Sequence, residues 1–425
     1  MGNTYRNYAV LYNFSYMAIG ALTPLIGPYL SYAGYTGAQI GTITATGTAV
    51  AIFASAFWGG IYSGSRRKYV TLMLLMIAAS VMNGVLSQTS GFLPVLTVFG
   101  VMYFFQAPVM SLVDSFTVSR SGSDFGSLRT WGAVGFALGV FLTARLVDAA
   151  SLKAIFPTYI GCFLIAAGAV FVINKSYEDA RGKANDPKVT GTIAAGAGAD
   201  TAQDRVIEEE GSGVEERRGF RGYAEVLKDE KLRKLIICTF LMGGSNVANN
   251  TYFSFLYMEG GGTLAGVGVC MLIMVGSEAP FMAWSKRLAD RFTMEKIILA
   301  AMVMSVIRFG TYAAGLPWWL LMVTGVSQGM VNGIILVEFV RYAAKLAPKG
   351  CRSLAISTYY VIGSNLSTIV CQLVGGLLLD HIGARGVYGF FALMNLMGVI
   401  LYVFYGLYRP EKYSNKNIRK EEKRG

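Results

Sequence analysis

Charge is scarce in this chain: Asp, Glu, Lys and Arg make up 15% of its 425 residues, against about a quarter in an ordinary soluble domain. A chain of this length needs far more polar surface to stand in water, so a soluble globule is excluded. Histidine is nearly missing, with His381 the only one. Cysteine is sparse too: Cys162, Cys238, Cys270, Cys351 and Cys371 lie within apolar stretches or at an edge, without metal-ligand spacing. Neither a disulfide framework nor a metal site is expected from that pattern. A membrane-embedded enzyme finds no support, because there is no His–acid cluster and no phosphate loop. No catalytic residue and no cofactor is therefore assigned.

What the chain has in quantity is apolar side chains, 54% of the total, with a mean hydropathy of +0.48. Apolar stretches fall near 7–31, 38–62, 69–88, 92–118, 128–148 and 153–174. A second set falls near 235–258, 262–288, 296–315, 317–343, 352–379 and 386–408. Each is long enough to cross a hydrocarbon core of about 30 Å as a helix. The first lacks a compact charged n-region and a small-residue cleavage site, so it reads as a retained span and not a signal peptide. The expected fold class is an all-α polytopic membrane protein, twelve transmembrane helices in two six-helix pseudo-symmetric bundles.

Lys and Arg set the orientation. Arg66, Arg67 and Lys68, then Arg120, then Lys286, Arg287, Arg291 and Lys296, then Lys345, Lys349 and Arg352 fall in alternate loops. The loops between (31–39, 87–91 and 316–319) carry none. Basic loops stay cytoplasmic, which places both termini on the cytoplasmic side and makes the net charge of +12 mostly a matter of topology. The basic tail at 409–425 reads as a contact with anionic lipid and not with nucleic acid.

Between the two sets of stretches the composition changes. Residues 175–231 contain TGTIAAGAGAD and RVIEEEGSGVEERRGFR, which cannot bury enough apolar surface to order themselves. This segment is expected to be a cytoplasmic linker between an N-terminal bundle (1–174) and a C-terminal bundle (232–408), with helical pattern returning over YAEVLKDEKLRKL. The second-to-third connection is basic in each half, GGIYSGSRRK and SKRLADRF. Two related six-span halves are a pattern of alternating-access carriers, which hold substrate between the halves near the bilayer midplane.

Against this background a few polar residues inside apolar runs stand out. A charge at bilayer depth is costly and is normally kept only where it faces a protein interior or an aqueous cavity. Arg129 opens the fifth span, either snorkelling to the interface or offering its guanidinium fork to hydroxyls or a carboxylate. Phe136 lies two helical turns on along the same face, either as ordinary packing or as a plane for a sugar or base ring. Glu278 lies too deep in the eighth span to reach water along the lipid face, so it must line a cavity or pair. A buried carboxyl that gains and loses a proton as its partners change is the physical requirement of a coupling site. Arg308 sits mid-span in the ninth stretch, and a pairing with Glu278 in at least one state of the cycle is expected. Asp114 is a gate or helix-end residue as readily as a ligand. Glu338 and Arg341 are three apart, where a local ion pair suffices. Asn250, Gln328 and Asn332 are amides that either bind a ligand or join helices.

Four segments carry a resemblance. PLIGPYLSYAGYTGAQIGTI, APVMSLVDSFTVSRSGSDFGSLRTWGAVGFALG, SEAPFMAWSKRLADRF with MSVIRFGTYAAG, and QLVGGLLLDHIGARGVY resemble the major facilitator superfamily. The branch is that of lactose permease with related oligosaccharide, nucleoside and phenylpropionate proton symporters. The resemblance implies a secondary transporter working by alternating access, a monomer whose partners are a small-molecule substrate, protons and the lipid bilayer. It implies substrate contacts at Arg129, Phe136, Glu278 and Asn250, to which the amides Gln328 and Asn332 are expected to add hydrogen bonds, and proton handling by Glu278 and Arg308, with Asp114 as the remaining candidate acid. A conformational latch is implied at Asp290, Arg291, Arg66 and Arg67. The chain departs from the pattern at Ser111, where lactose permease has a second sugar-contacting carboxylate. It also lacks the branch's titratable groups near Gln328 to Asn332. In the latch motif, Ser63 stands where the acid should be and Lys286 replaces the glycine. Proton symport of a hydroxylated solute, a sugar or nucleoside, is the expected function. A small aromatic or carboxylic acid carrier, or an uncoupled facilitator, is the alternative.

Overall fold

The computed structural model describes residues 2–121, 125–184, 226–348 and 351–409. The linker from 185 to 225 and the tail beyond 409, with the expectations for them, lie outside the described residues. The described residues form helices and no strands. The spans are α1 (Tyr5–Tyr32), α2 (Gly37–Gly64), α3 (Lys68–Leu86), α4 (Phe92–Ser119), α5 (Phe125–Ala149) and α6 (Ile155–Ala184). They continue with α7 (Glu230–Glu259), α8 (Leu264–Phe292), α9 (Met294–Ala313), α10 (Trp318–Leu346), α11 (Arg352–Ile382) and α12 (Ala384–Phe404).

Eleven of these are both long and apolar enough to cross a membrane. The other is α7, which has 30 residues but too many polar ones. Much of the polarity in its middle is hidden: Thr239, Ser245, Asn249, Thr251 and Ser254 are all buried. A helix enclosed by its neighbours meets little lipid, so it need not be apolar all round. By contrast Phe53, Leu74, Phe171, Val323 and Ile400 stand exposed on outer faces, where lipid chains replace water as the solvent.

The packing repeats after six helices. The pairs α1–α5, α2–α4, α1–α6, α3–α6 and α3–α4 recur as α7–α11, α8–α10, α7–α12, α9–α12 and α9–α10. Between the two sets the large contacts are α5–α8 and α2–α11, which exchange under the same shift. This is the pseudo-two-fold arrangement expected from the sequence.

Two spans break where proline stands. Thr23, Pro24 and Leu25 interrupt α1, and Ala107 and Pro108 interrupt α4, because proline donates no backbone hydrogen bond and crowds the residue before it. In α11 the stretch Tyr359–Leu366 is wound as a π-helix, a form common at functional sites. Small residues bring helices close. A side-chain carbon at Gly132, Gly135 or Gly139 of α5 would collide with Tyr16, Asn13 or Met17 of α1. The same seam recurs in the second half, where Gly243 and Gly244 of α7 meet Gly363 and Ser367 of α11. Without a hydrophobic drive between helices in lipid, such close backbone packing supplies the association. The five cysteines are buried and form no disulfide among the described residues.

Candidate functional site: a polar cavity between the two helix sets

The α1–α5 seam orients the first wall. Gly132, Gly135 and Gly139 turn one side of α5 onto α1, and Arg129, Thr130, Ala133 and Phe136 fall on a neighbouring side, facing a cavity of about 610 Å³. The opposite wall is made by α8 and α10. Gly329 and Gly333 let α10 approach the backbone at Ser277 and Glu278. That approach brings Asn332 Nδ2 to 2.9 Å from Glu278 Oε1, to which it donates a hydrogen bond. Pro280, two residues on from Glu278 within α8, cannot donate to the carbonyl of Gly276, which loosens the helix beside the carboxyl. Asn250 of α7 and Gln328 of α10 complete the polar lining, and Met271 and Met274 add apolar area.

Arg129, Phe136, Asn250, Glu278, Gln328 and Asn332, drawn from four helices, therefore line one cavity. Arg308 does not line it. It is 2% exposed and packed behind the wall, where Nη2 donates to Asn246 Oδ1 at 2.8 Å and the guanidinium lies 4.2 Å from the Phe309 ring centroid. Its Nε and Nη1 make no hydrogen bond. Glu278 and Arg308 feel each other's field but form no ion pair within 4 Å in this conformation. The expected pairing is replaced here by two amides, Asn332 on the acid and Asn246 on the base.

Asp114 also stands off the lining; it accepts a hydrogen bond of 2.8 Å from Tyr12 Oη. One turn along α1, Tyr16 feels both Asp114 and Arg129 and itself lines the cavity. Glu338 and Arg341 form the local pair, at 2.8 Å. Arg66, Arg67 and Arg291 are exposed at the ends of their helices, and the Asp290 side chain lies outside the described residues.

The cavity extends from Asn250 and Met271 toward Arg129, Met282 and Leu336, which lie nearer the end of the bundle carrying the basic loops. The other end is shut. There Asp380 of α11 accepts from the backbone N–H groups of Gly37 and Ala38, at 2.5 and 2.8 Å. Thr36 caps the same helix, accepting from Gln39 N while Gln39 Oε1 accepts from Thr36 N. Gly37 and Gly41 also meet Gly376 almost backbone to backbone, and deeper in, Thr48 donates to Gln372 Oε1 at 3.1 Å. Gly268 of α8 packs on Phe141 and Ala144 of α5.

Sequence reasoning passed over four of these residues. Asn246 stands one turn before Asn250, and Tyr12 and Tyr16 are likewise four apart, so helical spacing marked both pairs. Asp380 carried no such signal, because its partners are backbone groups more than three hundred residues away.

The MFS_1-like family model matches residues 5–390. A maltose permease from Geobacillus stearothermophilus is 31% identical over 93% of this chain and 92% of its own length. A probable 3-phenylpropionic acid transporter from Escherichia coli is 22% identical over 82% of this chain and 76% of its own. Among solved structures, the nucleoside transporter NupG superposes with a TM-score of 0.76 at 15% identity, covering 96% of this chain and all of that one, a likeness of fold. The chain therefore belongs to the MFS_1-like family and is a multi-pass membrane protein of the major facilitator fold, a secondary transporter of a small molecule.

Proposed function

We propose that the protein is a proton-coupled symporter of a small, neutral, hydroxyl-rich solute, and specifically of a maltose-class saccharide. The observation that carries this reading is the cavity lining. One cation (Arg129), one acid hydrogen-bonded to an amide (Glu278 with Asn332), two further amides and an aromatic face surround about 610 Å³. That volume lies within the roughly 300–1,000 Å³ typical of small-molecule sites. Hydroxyls both donate and accept, so a sugar satisfies guanidinium, carboxylate and amides together, and its ring stacks on Phe136. The likeness to a maltose permease over nearly the whole chain supports the saccharide over a nucleoside.

In this mechanism Glu278 takes the proton. With substrate bound, its carboxyl is held by sugar hydroxyls and Asn332. Once substrate leaves, Arg308, which has two nitrogens free to donate, draws the carboxylate and the proton departs. Asp114, bonded to Tyr12 near Arg129, tunes the charge of the first wall. The halves at 1–174 and 232–408 rock as units, joined by the segment 175–231, with both termini and the basic loops cytoplasmic. In that orientation the conformation is inward-facing, with its outer end clamped by Asp380. Arg66, Arg67, Asp290 and Arg291 act in the outward-open state, and the working unit is a monomer.

The test is labelled counterflow by purified protein in proteoliposomes, with external pH followed in parallel. Preloaded maltose is expected to drive uptake of labelled maltose, and maltose addition to alkalinise a weakly buffered exterior. Counterflow by a nucleoside or phenylpropionate and not by any saccharide would overturn the substrate class. Saccharide counterflow without proton movement would overturn the coupling.

A further inference from the structure

A second cavity, of about 220 Å³, lies at the basic end of the first half between α2, α3, α4 and α6. It is lined by Arg66, Lys68 and the hydroxyl side chains Tyr62, Ser65, Ser119 and Tyr177. The volume is about seven times the share of one water in the liquid, so a tetrahedral headgroup fits with solvent to spare. The two cations share the cavity with hydroxyls, of which Ser119 donates to the Phe116 carbonyl of its own helix and Ser65 accepts from Arg67 N. Among the described residues neither Arg66 nor Lys68 has a carboxylate within 4 Å, and Lys68 instead stands over the Tyr62 ring at 5.6 Å. The nearest described acid of α6, Glu178, accepts from Asn174. Ser63 of the same turn adds no charge, and its hydroxyl donates to the Gly59 carbonyl of its own helix.

We propose that this cavity binds the phosphate of an anionic membrane lipid, which supplies from the bilayer the negative charge that the described lining lacks. Cations and hydroxyl donors arranged around a pocket suit phosphate oxygens, which only accept. The surroundings favour a lipid over free phosphate. Ile61, Val70 and Val118, next in sequence or nearly so to the lining residues, are exposed apolar side chains, and acyl chains can lie along them while the headgroup turns inward. Basic pockets between transmembrane helices at a membrane surface are a recurring form of such recognition.

The experiment measures lipid retention by the full-length protein, purified from nanodiscs of phosphatidylcholine mixed with phosphatidylglycerol, by native mass spectrometry. The parent is expected to keep phosphatidylglycerol selectively. The double variant Arg66→Gln/Lys68→Gln is expected to bind it about twenty-five-fold more weakly, about fivefold for each cation removed. Arg67→Gln removes a charge from the same loop without lining the cavity, and should keep the parent's retention. Ser119→Phe fills the cavity without changing charge, and should lose it. Equal losses in Arg67→Gln and in the double variant would mean diffuse attraction and overturn the site, as would retention by Ser119→Phe. Inorganic phosphate added alone competes only weakly if the site is built for a lipid. Full displacement by it would overturn the lipid assignment.

Discussion

Replacing Asp380 by alanine perturbs the shut end of the bundle through one carboxylate. Its two oxygens take the N–H groups of Gly37 and Ala38, the first two residues of α2, while Thr36 serves Gln39. The first turn of α2 is thus completed by a side chain from α11, and only while these helices touch at this end. Removing a carboxylate that caps a helix costs about 0.5–2 kcal/mol, and its attraction to the positive end of the helix is worth about 0.3–1 kcal/mol. Asp380 is exposed, so water restores part of both, and a net effect of about 1–2 kcal/mol is expected. Since α2 and α11 separate when this end opens, all of that loss falls on the shut conformation. The shut-to-open ratio should drop about five- to thirtyfold. The assay introduces Thr48→Cys, on the α2 face that meets Gln372, and follows its reaction with a membrane-impermeant maleimide. The five native thiols are buried, so their background is low. Labelling should speed up by the same five- to thirtyfold when Asp380→Ala is added, within the range worked out above. A rate unchanged from the parent would show that the carboxylate does not hold this end shut.

Two further outcomes follow from the cavity and the seams. Glu278→Gln keeps an oxygen to accept from Asn332 but cannot release a proton, so pH-driven accumulation should vanish while labelled exchange persists. Full accumulation in that variant would remove Glu278 from the coupling role. Gly135→Leu forces a side chain into the Asn13 backbone and should lower stability by about 1–3 kcal/mol, as overpacking does, seen as a fall in the thermal midpoint in detergent. Gly168→Ala, with open space around it, should leave that midpoint unchanged or slightly raised, and an equal fall in both would deny the seam its role.

The chain makes its membrane character plain because lipid demands long apolar runs, and eleven of the spans declare themselves on that ground alone. The exception, α7, was still found, since its apolar flanks run long enough around the polar centre NVANNTYF. What that polarity meant depended on neighbours: Ser245 is held by Asn395, and Asn249 by Tyr388. The charged residues were conspicuous for the same reason, namely that a charge at depth must be compensated. Which group compensates was not legible. Arg308 and Glu278 look like natural partners in a list of residues, yet each meets an amide, because α10 and α7 bring Asn332 and Asn246 closer.

By itself, then, the sequence determined that this protein crosses the membrane many times in two related sets of helices, and which few polar residues are buried at depth. These follow from local composition and period, which each segment carries alone. Only the tertiary structure decided which of those residues share a cavity, which end of the bundle is shut, and that a carboxylate at 380 completes a helix beginning at 37. Those outcomes rest on glycine contacts that set how closely α1 meets α5, α8 meets α10 and α2 meets α11. Such contacts join residues far apart in the chain, and no local pattern encodes the distance between them.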